Sequence, residues 1–187
     1  MTNQTPPRAY DRTSYVLIVD DDNTLLKFFK IHLNKFFSRI VAAKSAKEAL
    51  TMLREKDIDV VLTDVRMPRM DGLSFMAKVR AYDPTIPVMI ISGALDEEQE
   101  LFVQGEADGL LRKPFSVDEL HQFIDMAMDR REKLRRLGEL CGDKAVVRKI
   151  RKAKAIKGKA LAAKDRAEAE ALLAECLKTV DLQQKAG

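Results

Sequence analysis

Short runs of branched aliphatic residues alternate along this chain with longer stretches in which apolar residues recur at helical spacing. The short runs have the length and composition of buried strands, and the longer stretches are typical of amphipathic helices. Strand and helix patterns alternate five times, which favours a parallel sheet with right-handed crossover connections. The predicted strands are residues 15–19, 39–43, 58–63, 86–91 and 109–112, and the predicted helices are residues 23–37, 46–55, 73–82, 96–104 and a fifth that begins after residue 116.

Helix starts are marked by residues that can cap an N-terminus. Ser45 is followed three positions later by Glu48, and Ser116 by Glu119, so both pairs predict a capping box. Asp22 or Asn23 can cap the first helix. These signals support the predicted helix boundaries.

Four of the predicted strands lead into residues that carry chemistry, namely Asp20 and Asp21, Asp64, Ser92, and Lys113. Because the carboxyl ends of parallel strands meet at one edge of a sheet, we expect these side chains to lie close together. Clustered carboxylates suit a hard cation such as Mg²⁺, which prefers oxygen ligands. A lysine and a hydroxyl beside that cation suit a phosphoryl group, whose transfer requires neutralisation of oxygen charge. The pattern predicts a site that places a phosphoryl group on Asp64.

The motifs at these strand ends resemble, in order and spacing, the receiver domain of two-component response regulators. The likeness covers roughly residues 14–130. The alternation of elements then predicts an α/β fold with a flavodoxin-like, doubly wound, five-stranded parallel sheet in the order 2-1-3-4-5. The motifs are Val19-Asp20-Asp21, Thr63-Asp64 with Met67-Pro68 and Asp71-Gly72, Ile91-Ser92-Gly93, and Lys113-Pro114-Phe115.

The resemblance implies a phosphoacceptor and a metal site. Asp64 would accept a phosphoryl group from a sensor histidine kinase or a phosphotransfer protein. Asp21 and Asp64 would supply carboxylate ligands to Mg²⁺. The backbone carbonyl of Arg66 and the carboxylate of Asp20 would complete the protein's share of the ligands. Such a protein is a signalling switch rather than an enzyme, since it catalyses only its own phosphorylation and dephosphorylation.

The resemblance also implies how the phosphoryl group is held and sensed. Ser92 and Lys113 would bind its oxygens, and the peptide bond between Lys113 and Pro114 is expected to be cis. One position departs from the family pattern, because Leu110 stands where many receivers carry a tyrosine or phenylalanine that moves on phosphorylation. The signal is therefore expected to leave by another face or by displacement of the loop at residues 93–97.

The two ends of the chain differ from this central domain. Residues 1–13 are expected to be a disordered lead, and residues 131–187 a basic, Ala-rich helical extension with helices at about 143–157 and 159–182, after a break between Gly138 and Gly142. Residues 130–160 contain 13 Lys or Arg and 3 Asp or Glu, whereas residues 11–129 contain 15 and 21. An acidic domain is thus followed by a very basic segment, which favours an anionic partner.

The output of the switch has three readings. Phosphorylation would change self-association or partner binding, with a homodimer formed through the fifth helix and the C-terminal arm. The alternative is nucleic-acid binding, because basic side chains neutralise phosphates, although no helix-turn-helix pattern is evident. A third reading is a receiver with an inert tail. The candidate anion-binding residues are Arg148, Lys149, Arg151 and Lys152.

Several classes are excluded or disfavoured by the sequence. Residues 130–187 contain no histidine, which excludes a histidine phosphotransfer tail. No apolar span of about 18 residues is present, so no membrane segment is predicted. The first ten residues lack the apolar core of a signal peptide, and a cytoplasmic location is expected.

Overall fold

The computed structural model of the protein describes residues 14–141 and residue 147. Its strands are β1 Tyr15–Val19, β2 Arg39–Ala43, β3 Ile58–Asp64, β4 Val88–Ser92 and β5 Gly109–Arg112. All neighbouring strands are parallel, and the sheet order is β2-β1-β3-β4-β5. The doubly wound, flavodoxin-like sheet predicted from the alternation of elements is confirmed.

The helices in the described part are α1 Asn23–Leu33, α2 Ala46–Glu55, α3 Gly72–Tyr82, α4 Glu97–Glu106 and α5 Val117–Cys141. An aspartate or serine caps each of the first four through a hydrogen bond to a backbone N–H. The capping box of α5 forms as predicted: Ser116 Oγ accepts from the Glu119 N–H at 3.1 Å, and the Glu119 carboxylate accepts from the Ser116 N–H at 2.7 Å.

Two predictions about helix ends are wrong. The first helix ends at Leu33 rather than Phe37, because the chain turns there before entering β2. Phe37 lies after the end of the helix but is buried in the core. It is therefore apolar, and its position happens to continue the apolar spacing of the helix. The capping box of α2 forms in one direction only. Ser45 accepts from the Glu48 N–H at 3.3 Å, but the Glu48 carboxylate accepts from the Lys44 N–H.

The sheet is buried on both faces, as parallel sheets usually are. Alternate residues of β3 point to opposite sides: Val61 packs with α2 and α3, whereas Leu62 packs with α1 and α5. Both are fully buried. The two apolar layers fix the strands in register, so the strand ends lie at one level and can form a site.

A buried carboxylate at the amino-terminal edge of the sheet forms hydrogen bonds with side chains of α3 and α5. The side chain of Asp108, just before β5, has no exposed surface. It accepts hydrogen bonds from Arg130 Nε at 2.9 Å, from the Val88 N–H at 2.9 Å and from Arg80 at 3.4 Å. Both oxygens of this buried carboxylate therefore accept hydrogen bonds, as a buried charge requires.

A second contact at the same edge involves Arg131 of α5. Its guanidinium donates to Asp59 at 3.3 Å and to Thr85 Oγ1 at 2.6 Å. Asp59 also accepts from the Tyr15 N–H at 2.9 Å, so one arginine joins α5 to β3 and to the start of β1. These contacts hold α5 beyond the part of it that covers the sheet.

The predicted break between Gly138 and Gly142 does not occur at Gly138, which lies inside α5. A Cβ at Gly138 would lie 3.4 Å from the Thr85 Cγ2 atom and 3.9 Å from that of Val147. Val147 is fully buried. Both distances are ordinary van der Waals contacts, so α5 continues through Gly138 although a glycine inside a helix costs about 1 kcal/mol. Apart from residue 147, the predicted helices at 143–157 and 159–182 lie outside the described residues.

Candidate functional site

Asp64 is the last residue of β3 and is 8% exposed. The following loop folds back against it: Gly72 N–H donates to the Val65 carbonyl at 2.9 Å. A Cβ on Gly72 would lie 2.0 Å from the Asp64 carbonyl oxygen, so only glycine permits this approach. The Arg66 N–H donates to Asp64 Oδ2 at 2.6 Å. The Asp64 carboxylate is thus held at the end of the strand by its own loop.

Lys113 follows β5 and reaches two carboxylates. Its Nζ atom lies 2.7 Å from Asp64 Oδ1 and 3.0 Å from Asp20 Oδ2. Its backbone N–H donates to the Ser92 carbonyl at 2.8 Å, which joins the ends of β4 and β5. The bond between Lys113 and Pro114 is cis, as expected. The structure therefore brings together the predicted residues that follow three of the strands.

The charges in this group are unequal. Burial raises the pKa of the Asp20 carboxyl, and the nearby charge of Asp64 adds to that rise, against the hydrogen bonds from Asp22 and Lys113. Burial alone lowers the pKa of the Lys113 ammonium, but its hydrogen bonds to Asp64 and Asp20 outweigh burial and raise the pKa on balance. Lys113 is therefore protonated at neutral pH. One positive charge lies between two carboxylates, so the site attracts a further cation.

The acidic residues after β1 have different roles in the local structure. Asp20 is 3% exposed and accepts from the Asp22 N–H at 2.8 Å. Asp22 caps α1 by accepting from the Thr24 N–H at 2.7 Å. Asp21 is exposed. The acidic triplet thus divides into one buried carboxylate at the site, one exposed carboxylate and one helix cap.

The donor set at this edge fits Mg²⁺ in its chemistry. Asp20, Asp21 and Asp64 offer only oxygen atoms, and Mg²⁺ usually binds one or two carboxylates and keeps several waters. Within residues 14–141 and residue 147, no three metal-ligating side chains converge on one point. In this structure the ammonium of Lys113 lies between the carboxylates of Asp20 and Asp64.

Ser92 ends β4 and is 3% exposed. Its hydroxyl donates to the Ala94 carbonyl at 3.3 Å. The same carbonyl accepts from the Arg66 guanidinium at 3.1 Å. The sequence predicted a role for the Arg66 backbone carbonyl but not for its side chain. The signal available was a long basic side chain two positions after the predicted phosphoacceptor.

Leu110 lies in β5 and is half-buried against the apolar layer on the α2 and α3 side of the sheet. It has no hydroxyl that could bond to Ser92 or to the loop after β4. The position that often carries an aromatic switch is therefore part of the core packing in this protein.

The comparisons with known proteins identify the family of the domain that carries these residues. A family model described as the response regulator receiver domain matches residues 16–125. The chain belongs to the response regulator receiver domain family. The match begins inside β1, takes in β2 to β5 and the predicted phosphoacceptor, and ends inside α5. The family is one of two-component signalling.

Several relatives of this receiver are named as transcriptional regulators. It is 33% identical over 120 residues to the transcriptional regulatory protein GlrR of Escherichia coli (strain K12), covering 63% of this chain and 27% of GlrR. It is also 33% identical over 117 residues to the C4-dicarboxylate transport transcriptional regulatory protein DctD of Rhizobium meliloti (strain 1021), covering 62% and 25%. The chain thus spans about a quarter of the length of these curated relatives.

Solved structures show the same fold. A response regulator receiver domain protein from Clostridium thermocellum is 30% identical with a TM-score of 0.60, covering 65% of this chain and 98% of that chain. The response regulator protein TrrA of Thermotoga maritima, crystallised with Mg²⁺ and beryllium fluoride, is 23% identical with a TM-score of 0.55, covering 62% and 99%. In each case the similarity takes in nearly the whole of the solved chain.

Two further predictions concern the basic residues of the C-terminal segment and membrane-spanning helices. The basic residues Arg148, Lys149, Arg151 and Lys152 lie outside the described residues. In the part of the chain that is described, no helix has the length and apolar character needed to cross a membrane.

Proposed function

We propose that Asp64 accepts a phosphoryl group from a sensor histidine kinase or a phosphotransfer protein. The observation that carries the proposal is the position of Lys113, whose ammonium lies 2.7 Å from Asp64 Oδ1 at the carboxyl edge of the sheet. A carboxylate at this edge with a cation beside it has a nucleophilic oxygen and a partner for the incoming phosphoryl oxygens.

The chemistry is a single displacement at phosphorus. An Asp64 carboxylate oxygen attacks the phosphorus of a phosphorylated imidazole, an O–P bond forms, and the P–N bond breaks as the imidazole leaves. Lys113 and Ser92 are proposed to hold the phosphoryl oxygens once they arrive. Asp20, Asp21, Asp64 and the backbone carbonyl of Arg66 are proposed to hold Mg²⁺, which would neutralise phosphoryl charge when bound.

The proposed output is a change in self-association or partner binding through α5 and the segment that follows it. The family match ends at residue 125, whereas α5 continues to Cys141. The hydrogen bonds of Arg131 to Asp59 and Thr85 join this extra length of helix to the domain. A structural change in the receiver therefore has a direct route to the C-terminal segment.

A cytoplasmic location stays a prediction.

Nucleic-acid binding is the second candidate output. It is favoured by the names of relatives such as GlrR and DctD, which are transcriptional regulatory proteins. The proposed contact residues are Arg148, Lys149, Arg151 and Lys152. If this output is correct, binding to duplex DNA falls steeply with salt, because each neutralised phosphate releases counterions. Salt-insensitive or absent binding leaves self-association or protein partners.

Phosphorylation itself is tested with a small phosphodonor. The full chain is incubated with acetyl phosphate and Mg²⁺, and the mass increase of one phosphoryl group is measured by intact mass spectrometry. Asp64→Asn is expected to abolish the increase. Asp57→Asn is the matched control, since Asp57 is an exposed aspartate just before the other end of β3. A phosphoryl group that persists in Asp64→Asn would overturn the assignment.

The output is tested by sedimentation of the same protein with Mg²⁺ alone and with Mg²⁺ plus beryllofluoride, a phosphoryl mimic. A doubled mass with the mimic is expected for phosphorylation-driven dimerisation through α5 and the arm. An unchanged mass would contradict self-association as the output.

A further inference from the structure

Arg66 has a side chain to which the predicted chemistry of the site assigns no role. Its backbone N–H donates to Asp64 Oδ2 at 2.6 Å, so the residue lies directly beside the carboxylate. Its guanidinium extends in the other direction to the Ala94 carbonyl at 3.1 Å. The side chain therefore joins the loop after β3 to the loop after β4, which are the two loops that flank the site.

The Ala94 carbonyl is the acceptor for two donors at once. Ser92 Oγ donates to it at 3.3 Å, and the Arg66 guanidinium at 3.1 Å. Both donors come from residues near the predicted phosphoacceptor: Arg66 lies in the loop two residues after Asp64, and Ser92 follows Ile91, which pairs with Asp64 in the sheet. Hydroxyl and guanidinium groups bind phosphoryl oxygens well, and the planar guanidinium fork matches their geometry. A neutral carbonyl is the weaker of the two acceptors.

We propose that Arg66 is a second cationic contact for the phosphoryl group on Asp64, and that its guanidinium moves to that group from the Ala94 carbonyl. This inference rests on the proposed function of Asp64 as phosphoacceptor. Lys113 bonds Oδ1 of Asp64 through its ammonium, whereas Arg66 bonds Oδ2 through its backbone N–H, so both residues adjoin the carboxylate. The phosphoryl group adds three acceptor oxygens and nearly two negative charges at this point.

The exchange is favoured because the existing bond is easily lost. Arg66 is exposed, and a solvent-exposed hydrogen bond to a neutral carbonyl competes with water. A doubly charged group held beside Asp64 attracts the guanidinium more strongly. Loss of the bond to Ala94 frees residues 93–96, which lead into α4. This gives the signal a route that does not use the position of Leu110.

The test compares Arg66→Gln with wild type in binding of beryllofluoride, measured by isothermal titration calorimetry on the full chain with Mg²⁺ present. We expect affinity to fall about tenfold or more, which is the scale of a lost charge-assisted hydrogen bond. Arg66→Lys keeps the positive charge but loses the planar guanidinium. Its affinity for beryllofluoride is expected to lie between those of wild type and Arg66→Gln. Arg69→Gln is the control, because it removes the same charge from an exposed residue of the same loop.

The sign of the change separates the possible roles. If Arg66 only holds the loop after β4, its removal leaves the affinity unchanged or raises it, and the proposal is overturned. The loop is followed by amide hydrogen exchange over residues 93–96. Exchange there is expected to be faster in Arg66→Gln than in wild type without the mimic, and equal exchange would overturn the contact with Ala94 as a restraint.

Failure of the proposed function gives a different result. In that case wild type binds no beryllofluoride, or Asp64→Asn binds it as tightly as wild type, and both proposals are overturned. If wild type binds in an Asp64-dependent manner and Arg66→Gln matches Arg69→Gln, only the proposal for Arg66 is wrong.

Discussion

Each edge of the sheet holds buried carboxylates and basic side chains, but the two clusters are built differently. At the amino-terminal edge, the buried Asp108 is bonded by Arg80, by Arg130 and by a backbone N–H. At the carboxyl-terminal edge, Asp20 and Asp64 share the single ammonium of Lys113. In the first cluster two guanidinium groups bond one buried carboxylate, and in the second one ammonium is shared by two buried carboxylates.

The difference distinguishes charges that stabilise the fold from charges that are proposed to bind ligands. A buried carboxylate with several donors stabilises the elements that supply them, since removing one partner leaves an unpaired charge. Two carboxylates that share one cation repel each other and gain from a further cation. The acid excess lies at the edge where ligands of open α/β sheets bind, and the donor-rich cluster lies at the opposite edge.

The largest effect on stability is expected from Asp108→Asn at the amino-terminal edge. The substitution removes the charge between two arginines without a large change in volume, so it is expected to lower the free energy of unfolding by about 3 kcal/mol. Urea denaturation measures this, with Asp57→Asn as control. Phosphorylation of the folded fraction should be unchanged, and a loss of phosphorylation with normal stability would break the comparison.

Lys113→Met tests the carboxyl-terminal edge, and its expected effect is on metal binding. Without the ammonium, Asp20 and Asp64 have no shared cation, so Mg²⁺ affinity is expected to rise on the order of tenfold while phosphorylation is lost. Mg²⁺ titration by calorimetry measures the first effect and intact mass the second. Weaker Mg²⁺ binding in this variant would show that Lys113 does not compete with the cation.

Asp20→Asn is expected to stabilise the fold slightly. Because the pKa of Asp20 is raised in the folded protein, its ionised form opposes folding once the pH exceeds the ordinary value of 3.8. The advantage of Asn over Asp therefore grows as pH rises from 3.8 through the raised pKa and is fully present above it. Urea denaturation at pH 4 and pH 7 measures it. Lower stability than wild type at pH 7 would contradict this account of the cluster.

The smallest effect is expected at the exposed charges of α5. Glu132 bonds Arg136 at 2.6 Å and Arg135 at 3.3 Å, and these hydrogen bonds lower its pKa. All three side chains are in contact with solvent, so the pairs contribute little. Glu132→Gln is expected to leave the denaturation midpoint within experimental error at physiological salt. A clear loss would place this part of α5 with the buried cluster rather than with the surface.

The sheet and the residues of the candidate site could be predicted from local patterns. Apolar runs such as residues 60–62 must be buried on both faces, and the polar residue that follows each run is thereby delivered to one edge. Strand order 2-1-3-4-5 followed from the alternation of elements, and the sheet confirms it. The end of α1 could not be predicted, since Phe37 is buried from a turn and continues the apolar pattern.

What the sequence alone determined is the identity and the level of the groups at the carboxyl edge, because a strand has a fixed repeat and its end positions the next residue. Only the tertiary structure decided which long side chains meet. The guanidinium of Arg66 reaches Ala94, and Arg130 reaches Asp108, across 28 and 22 residues of sequence. Such contacts depend on rotamers and on the distance between loops. The periodic pattern of apolar residues predicts neither the rotamers nor the distance between the loops.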